Sequence, residues 1–258
     1  MSAEHTLPRS VLVSLWLEHV KLGPLEIDVA TNAIEADDEP HRVVFRDGST
    51  GSLAQLFEQW TSMDRVVAAI LPLPGNPSGL AGPYETSIET IDAGEAVLFS
   101  SADVRYALVP HIESFGSHIE RGHFVTWHVL PANDWDITFY AAVGSLRDAE
   151  TDLRMALKDS IERLMVLDVA QWRDDLAVEI ERLRGATHLP DPLPSGLSPR
   201  RAHLLATGWR LASIADLAHI DEGASITSWE ADRRKEALQD VELAARRMVA
   251  AATFSAHH

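Results

Sequence analysis

Apolar positions follow two regimes along this chain, and the change falls near residue 145. In the first half, short apolar runs alternate with turn residues. Ser10–Leu17 is rich in β-branched side chains, lies between Pro8 and Gly23–Pro24, and reads as a strand, with a short helix as the alternative. His41–Phe45, Val66–Leu71, Ala96–Phe99, Tyr106–Val109, Phe124–Leu130 and Ile137–Ala142 read as further strands. Within 124–130, strict alternation puts Phe124, Thr126 and His128 on one face and Val125, Trp127 and Val129 on the other. Helical spacing appears over Pro24–Ala36 and again over Ser52–Met63, where Leu53, Leu56, Phe57 and Trp60 fall at i, i+3, i+4 and i+7. A short helix is expected over Thr86–Ala93. The order strand, helix, strand across 41–71 predicts a βαβ layout with parallel pairing, and the unbroken apolar run 66–71 suits a strand covered on both faces.

Beyond residue 145 the spacing is helical throughout. Leu153, Leu157, Ile161 and Leu164 make one stripe; Val169, Trp172, Leu176, Ile180 and Leu183 make a second, out of phase with the first across Leu167–Asp168. The second stripe is expected to bury Trp172, Leu176 and Ile180 against the later helices. Proline-rich Gly185–Pro199 reads as a connection, and a helix starting near Ser198 runs through Leu204, Leu205, Leu211, Ile214 and Leu217. Thr227–Ser228–Trp229–Glu230 fits a capping box opening a last helix, with Leu238, Val241, Ala245, Met248 and Ala252 inward. The alanines at 212, 215, 244 and 245 suit close helix approach. The expected fold is therefore α/β, a mixed sheet with flanking helices, over 1–145, followed by an all-helical C-terminal bundle over 146–258, packed on the first domain.

Composition narrows the function classes. The 258 residues are 46% hydrophobic, enough for a packed core. With 22 basic and 39 acidic side chains the formal net charge is −17, which repels a phosphate backbone, so no nucleic-acid binding is expected. The basic run Arg233–Lys235 is flanked by Glu230, Asp232 and Glu236. Cysteine is absent, which removes disulfides, thiolate metal sites and cysteine nucleophiles and suits a reducing compartment. No membrane span and no apolar signal core are legible, so a cytoplasmic protein is expected.

The segments LPLPGNPSGL at 71–80, AGEAV at 93–97, ALVP at 107–110, LDVAQWR at 167–173 and LLATGWRLASIADLA at 204–218, in that order, resemble a group of uncharacterised actinobacterial proteins. The resemblance implies a cytoplasmic protein of unassigned role and carries no catalytic residues with it.

Two constellations bear on chemistry. His111–Ile112–Glu113 is echoed by His118–Ile119–Glu120 and followed by His123 and His128; imidazole with carboxylate is the ligand chemistry of zinc or iron. The spacing matches no metalloenzyme signature, Gly116 and Gly122 disfavour a regular helix, and the expectation is a loop and strand without bound metal. The proline- and glycine-rich loop 72–83 follows an apolar strand, so a ligand at the carboxyl edge of a parallel sheet would meet Gly75, Asn76, Ser78, Gly79 and Gly82. It lacks both phosphate-loop patterns, and its prolines delete donors that a phosphate nest uses. There is no nucleophile elbow. The reading leans away from an enzyme and expects no cofactor. It favours a binding or regulatory protein with a protein partner or self-association. A small-molecule protein or enzyme with its site beside 72–83 is the alternative.

Overall fold

A computed structural model describes residues 6–20, 23–76, 79–102, 104–117, 121–167, 192–220 and 228–255. The first helix, α1 (Arg9–His19), occupies the segment whose β-branched content predicts a strand. Its residues are buried nearly all round, from Val11 and Leu12 to Leu15 and Leu17, and an element apolar on every side reads alike in either period. Then come α2 (Pro24–Glu35), β1 (Arg42–Val44), β2 (Thr50–Ser52), α3 (Leu53–Thr61), β3 (Val66–Ile70), α4 (Tyr84–Ala93), β4 (Ala96–Ser101), β5 (Val104–Gly116) and β6 (Arg121–Pro131). The helices α5 (Asp136–Val143), α6 (Leu146–Leu167), α7 (Pro199–Ile220) and α8 (Ser228–Thr253) complete the described elements. A capping box opens α3: the Ser52 hydroxyl accepts from the Gln55 N–H, and the Gln55 side chain accepts from the Ser52 N–H. The strand expected over 137–142 is α5, because Phe139 and Val143, one helical turn apart, are the buried positions, and Gly144 at φ +75° ends the helix. The second stripe, with Trp172, Leu176 and Ile180, and the Thr227 capping box lie outside the described residues. In the first stripe Leu153 is buried, but Ile161 faces outward, and Ser160 donates to the Ala237 carbonyl of α8 instead.

The six strands form one mixed sheet in the order β2-β1-β6-β5-β4-β3. Only β1 and β6 are parallel; every other pair is antiparallel. The βαβ layout expected over 41–71 is therefore not present. β1 and β3 lie far apart in the sheet, because three later strands enter between them and chain order does not dictate sheet order. Alternation sends Val67, Ala69, Val97, Phe99, Leu108 and Trp127 into a core shared with α1, α2 and α3. Ala68, Ile70, Leu98, Ala107 and Val109 enter a second core, with α5 to α8. The helices after residue 145 thus pack on the sheet, and Leu205, Val249 and Ala252 reach into the first core as well. Gly208 of α7 is required by this packing: a Cβ there would lie 3.0 Å from the Ala245 carbonyl oxygen.

Long-range polar contacts lock the layers. Arg65 donates to the Leu17, Val20 and Thr61 carbonyls, capping the ends of α1 and α3. Arg201 bridges Glu18 of α1 to the Ala252 carbonyl of α8. Glu95, buried beneath α1, accepts from the Ser10 N–H at 2.7 Å, a partner that Pro8 at the helix start does not supply. Burial pushes its carboxyl above the usual range; the Ser10 bond and the charges of Arg9 and Arg246 oppose the shift without cancelling it. A carboxyl raised on folding loses stability as pH climbs from the unfolded value, about 4.3, through the folded one. Glu95→Gln retains an acceptor for Ser10 and lacks this slope. The variant should therefore gain stability relative to wild type between pH 5 and pH 8, as read by denaturant unfolding at both. An unchanged difference would contradict the assignment.

Candidate functional site

The longest strands, β5 and β6, form a hairpin that outruns the sheet. β5 pairs with β4 only as far as Leu108, and β6 pairs with β1 only over Thr126–His128, whereas β5 and β6 stay paired to Gly116 and Arg121. Residues 111–117 are all exposed. Among the described residues no strand lies along the β5 edge beyond Leu108. Near its tip Phe115 stacks on Phe124, centroids 4.3 Å apart, and lies over Gly122, where a Cβ would collide with the Phe115 ring. Both phenylalanines remain solvent-exposed, at 39% and 51%. Such an arm, an unpaired edge carrying aromatics, is what a protein ordinarily covers.

The arm's two faces hold different polar clusters. On the α4 side, Val109 opposes His128 and His111 opposes Thr126, so His111 and His128 are diagonal cross-strand neighbours, with rings 4.2 Å apart. Glu89 of α4 reaches both: its Oε2 lies 3.3 Å from His111 Nε2 and 3.7 Å from His128 Nδ1. α4 is held there by Thr86, whose hydroxyl donates to the Pro131 carbonyl at 3.0 Å. Burial lowers the pKa of His128, the neighbouring His111 adds to the shift, and Glu89 opposes it.

On the opposite face His123 Nδ1 lies 3.1 Å from Asp38 Oδ1. Asp38 also accepts from Arg9 Nε and Nη2, at 2.6 and 2.7 Å, and pairs with His41 Nε2 at 3.1 Å. The Trp127 indole donates to His41 Nδ1, so His41 carries its proton on Nε2 and donates it to Asp38. Burial pushes the Asp38 carboxyl up, but the bonds from His41 and Arg9 outweigh it and hold the group well below the usual carboxylate range. This cluster ties the arm, from Trp127 near its root to His123 near its tip, to α1 and to the chain after α2.

The histidines singled out in the sequence thus separate: His111 and His128 meet, His123 joins Asp38, and His118 lies outside the described residues. Glu89 and Asp38, each remote in sequence from its histidine partners, carried no sequence signal of this role. In the loop after β3, Gly75 and Gly79 adopt φ of +82° and +83°, the Asn76 N–H donates to the Leu73 carbonyl, and a Cβ on Gly82 would collide with Thr86. Ser78 lies outside the described residues. The cavity touching this loop, between Leu71, Asn76 and Arg246, measures about 20 Å³, room for a water. Because β3 is an antiparallel edge strand, the loop does not emerge at the carboxyl end of parallel strands as expected. That end belongs to β1 and β6. Beside it an open cavity of about 390 Å³ lies among Phe45, Arg46, Gln59, Trp60, Tyr106 and Val129.

A family model for the Rv1486c-like protein N-terminal domain matches residues 10–157, and one for the C-terminal domain matches 147–250. The chain belongs to the Rv1486c-like family. No curated protein and no solved structure matches it. Across the described residues, no helix is long and apolar enough to cross a membrane.

Proposed function

We propose that this member of the Rv1486c-like family is a non-catalytic, cytoplasmic binding protein that acts through contact with another protein. Its β5–β6 arm receives an extended segment of that partner along the free edge of β5. The observation that carries this reading is the run 111–116, exposed at every position, on a strand with β6 on one side only among the described residues. Strand addition supplies affinity through main-chain bonds, and exposed side chains such as Ile112 and Phe115 supply selectivity. Charge favours a basic partner over a second copy. The chain carries −17, and α4, beside the arm, holds Glu85, Glu89 and Asp92 with no basic residue.

A photo-crosslinking residue placed at Ser114 of the full chain, in the native cell, tests this. The expected result is one dominant adduct, mapped to a basic extended segment, that disappears when Phe115 and Phe124 are both replaced by serine while circular dichroism stays unchanged. Adducts equal to those from exposed Ile137 on α5, or adducts indifferent to the double substitution, would overturn the proposal. An adduct to a second copy of the chain would replace the basic partner with self-association.

A specific observation favours a second reading, small-molecule binding. The cavity of about 390 Å³ is lined by the stacked rings of Trp60 and Tyr106 and by polar Arg46, Asp47 and Gln59. That size and mixture lie within the range of ligand sites.

A further inference from the structure

We infer that Glu89, His111 and His128 form a binding site for a divalent transition metal of the zinc class at the root of the arm. The inference goes beyond the protein-contact reading and does not depend on it. Two imidazole nitrogens and one carboxylate oxygen, from α4, β5 and β6, lie within 4.8 Å of one another. Tetrahedral zinc with ligands at 2.0–2.2 Å sets its donor atoms roughly 3.3–3.5 Å apart. Glu89 Oε2 is already 3.3 Å from His111 Nε2 and 3.7 Å from His128 Nδ1, so closing on a metal needs shifts of a few tenths of an ångström on the carboxylate side.

The backbone fixes this convergence. Antiparallel register sets the two histidines as diagonal neighbours on one face, and the Thr86 bond to the Pro131 carbonyl anchors the helix that delivers Glu89. Two imidazoles with one carboxylate select zinc, cobalt, nickel or copper over calcium and magnesium, which prefer oxygen donors. All three side chains are partly exposed, so a metal has a route in and a fourth position faces solvent. No linear motif encodes this set, since Glu89 lies 22 residues from His111 and on a different element. That is why the histidine spacing alone gives an expectation of no metal.

The test uses the full chain without a histidine tag. Zinc titration by calorimetry should give one tight equivalent, and cobalt should give the visible absorption of a tetrahedral complex. Glu89→Gln, His111→Ala and His128→Ala should each weaken zinc binding by more than about tenfold, the least that even outer-shell partners typically command. His203→Ala, at an exposed position of α7, should leave it unchanged. As a readout independent of variant folding, the ring nitrogens of His111 and His128 should shift in wild-type NMR spectra on zinc addition, with those of His203 unmoved. Weak binding at several sites, equal in wild type and all variants, would assign the metal to scattered surface carboxylates and overturn the proposal. Zinc binding without a shift of the two named rings would overturn it as well.

Discussion

Replacing Thr253 by valine together with Ser255 by alanine is expected to destabilise the protein by about 2–6 kcal/mol. β3 ends the sheet, yet its outer edge is not open. The Val67 N–H donates to the Ser255 hydroxyl and the Ala69 N–H to the Thr253 hydroxyl, both at 2.8 Å, and the Ser255 N–H returns a bond to the Val67 carbonyl at 3.0 Å. The end of α8 therefore stands in for a seventh strand. Removing both hydroxyls leaves two buried backbone donors unpaired, at about 1–3 kcal/mol each. It also weakens the cover on an apolar edge, so aggregation on partial unfolding should rise with the loss of stability. Denaturant unfolding of the double variant measures the first effect. A change below about 0.5 kcal/mol would mean that water reaches these amides and that the edge is not sealed as described.

Asp38→Ala should cost about 3–5 kcal/mol. One carboxylate, with a side chain 9% exposed, serves Arg9, His41 and His123 together, and its removal strands the Arg9 guanidinium and the His41 ring, which is fully buried. The pH dependence follows from the sign of the shift. Because the folded pKa lies below the unfolded one, the stabilisation is complete above the ordinary aspartate value near 3.9 and fades as pH falls through it toward the folded value. The gap between wild type and variant, from unfolding curves at neutral pH and in acid, should accordingly be widest at neutral pH and narrow below about pH 4. A gap constant across that range would assign the loss to packing, with the ion pairs contributing nothing.

The local period was legible wherever an element had one wet and one buried face. Leu53, Leu56, Phe57 and Trp60 mark α3, and alternation over 124–130 sorts Trp127 and Val129 into the core and Phe124 onto the exposed face. It failed where that asymmetry vanished. α1 is buried on all sides, so Val11 and Val13 passed for strand residues, and in α5 the adjacent β-branched Ile137 and Thr138 are exposed while Phe139 carries the packing. Sheet order was not legible either. Nothing in 41–71 says that β1 will pair with β6 and leave β3 at the far edge. The candidate site shows the same division: the histidines were visible as a group, but tertiary contacts assign them, 22 residues from Glu89 in one case and 85 from Asp38 in another.

The arm must be an open edge before it can receive a partner, and amide hydrogen exchange along β5 reads that directly. Slow exchange is expected over Tyr106–Leu108, where strands lie on both sides. Beyond Leu108, as far as Gly116, the amides present should alternate, slow where they point to β6 and fast where they point away, Pro110 having none. Uniform protection across 109–116 in the free protein would mean that the chain already covers this edge and that no partner strand can add to it.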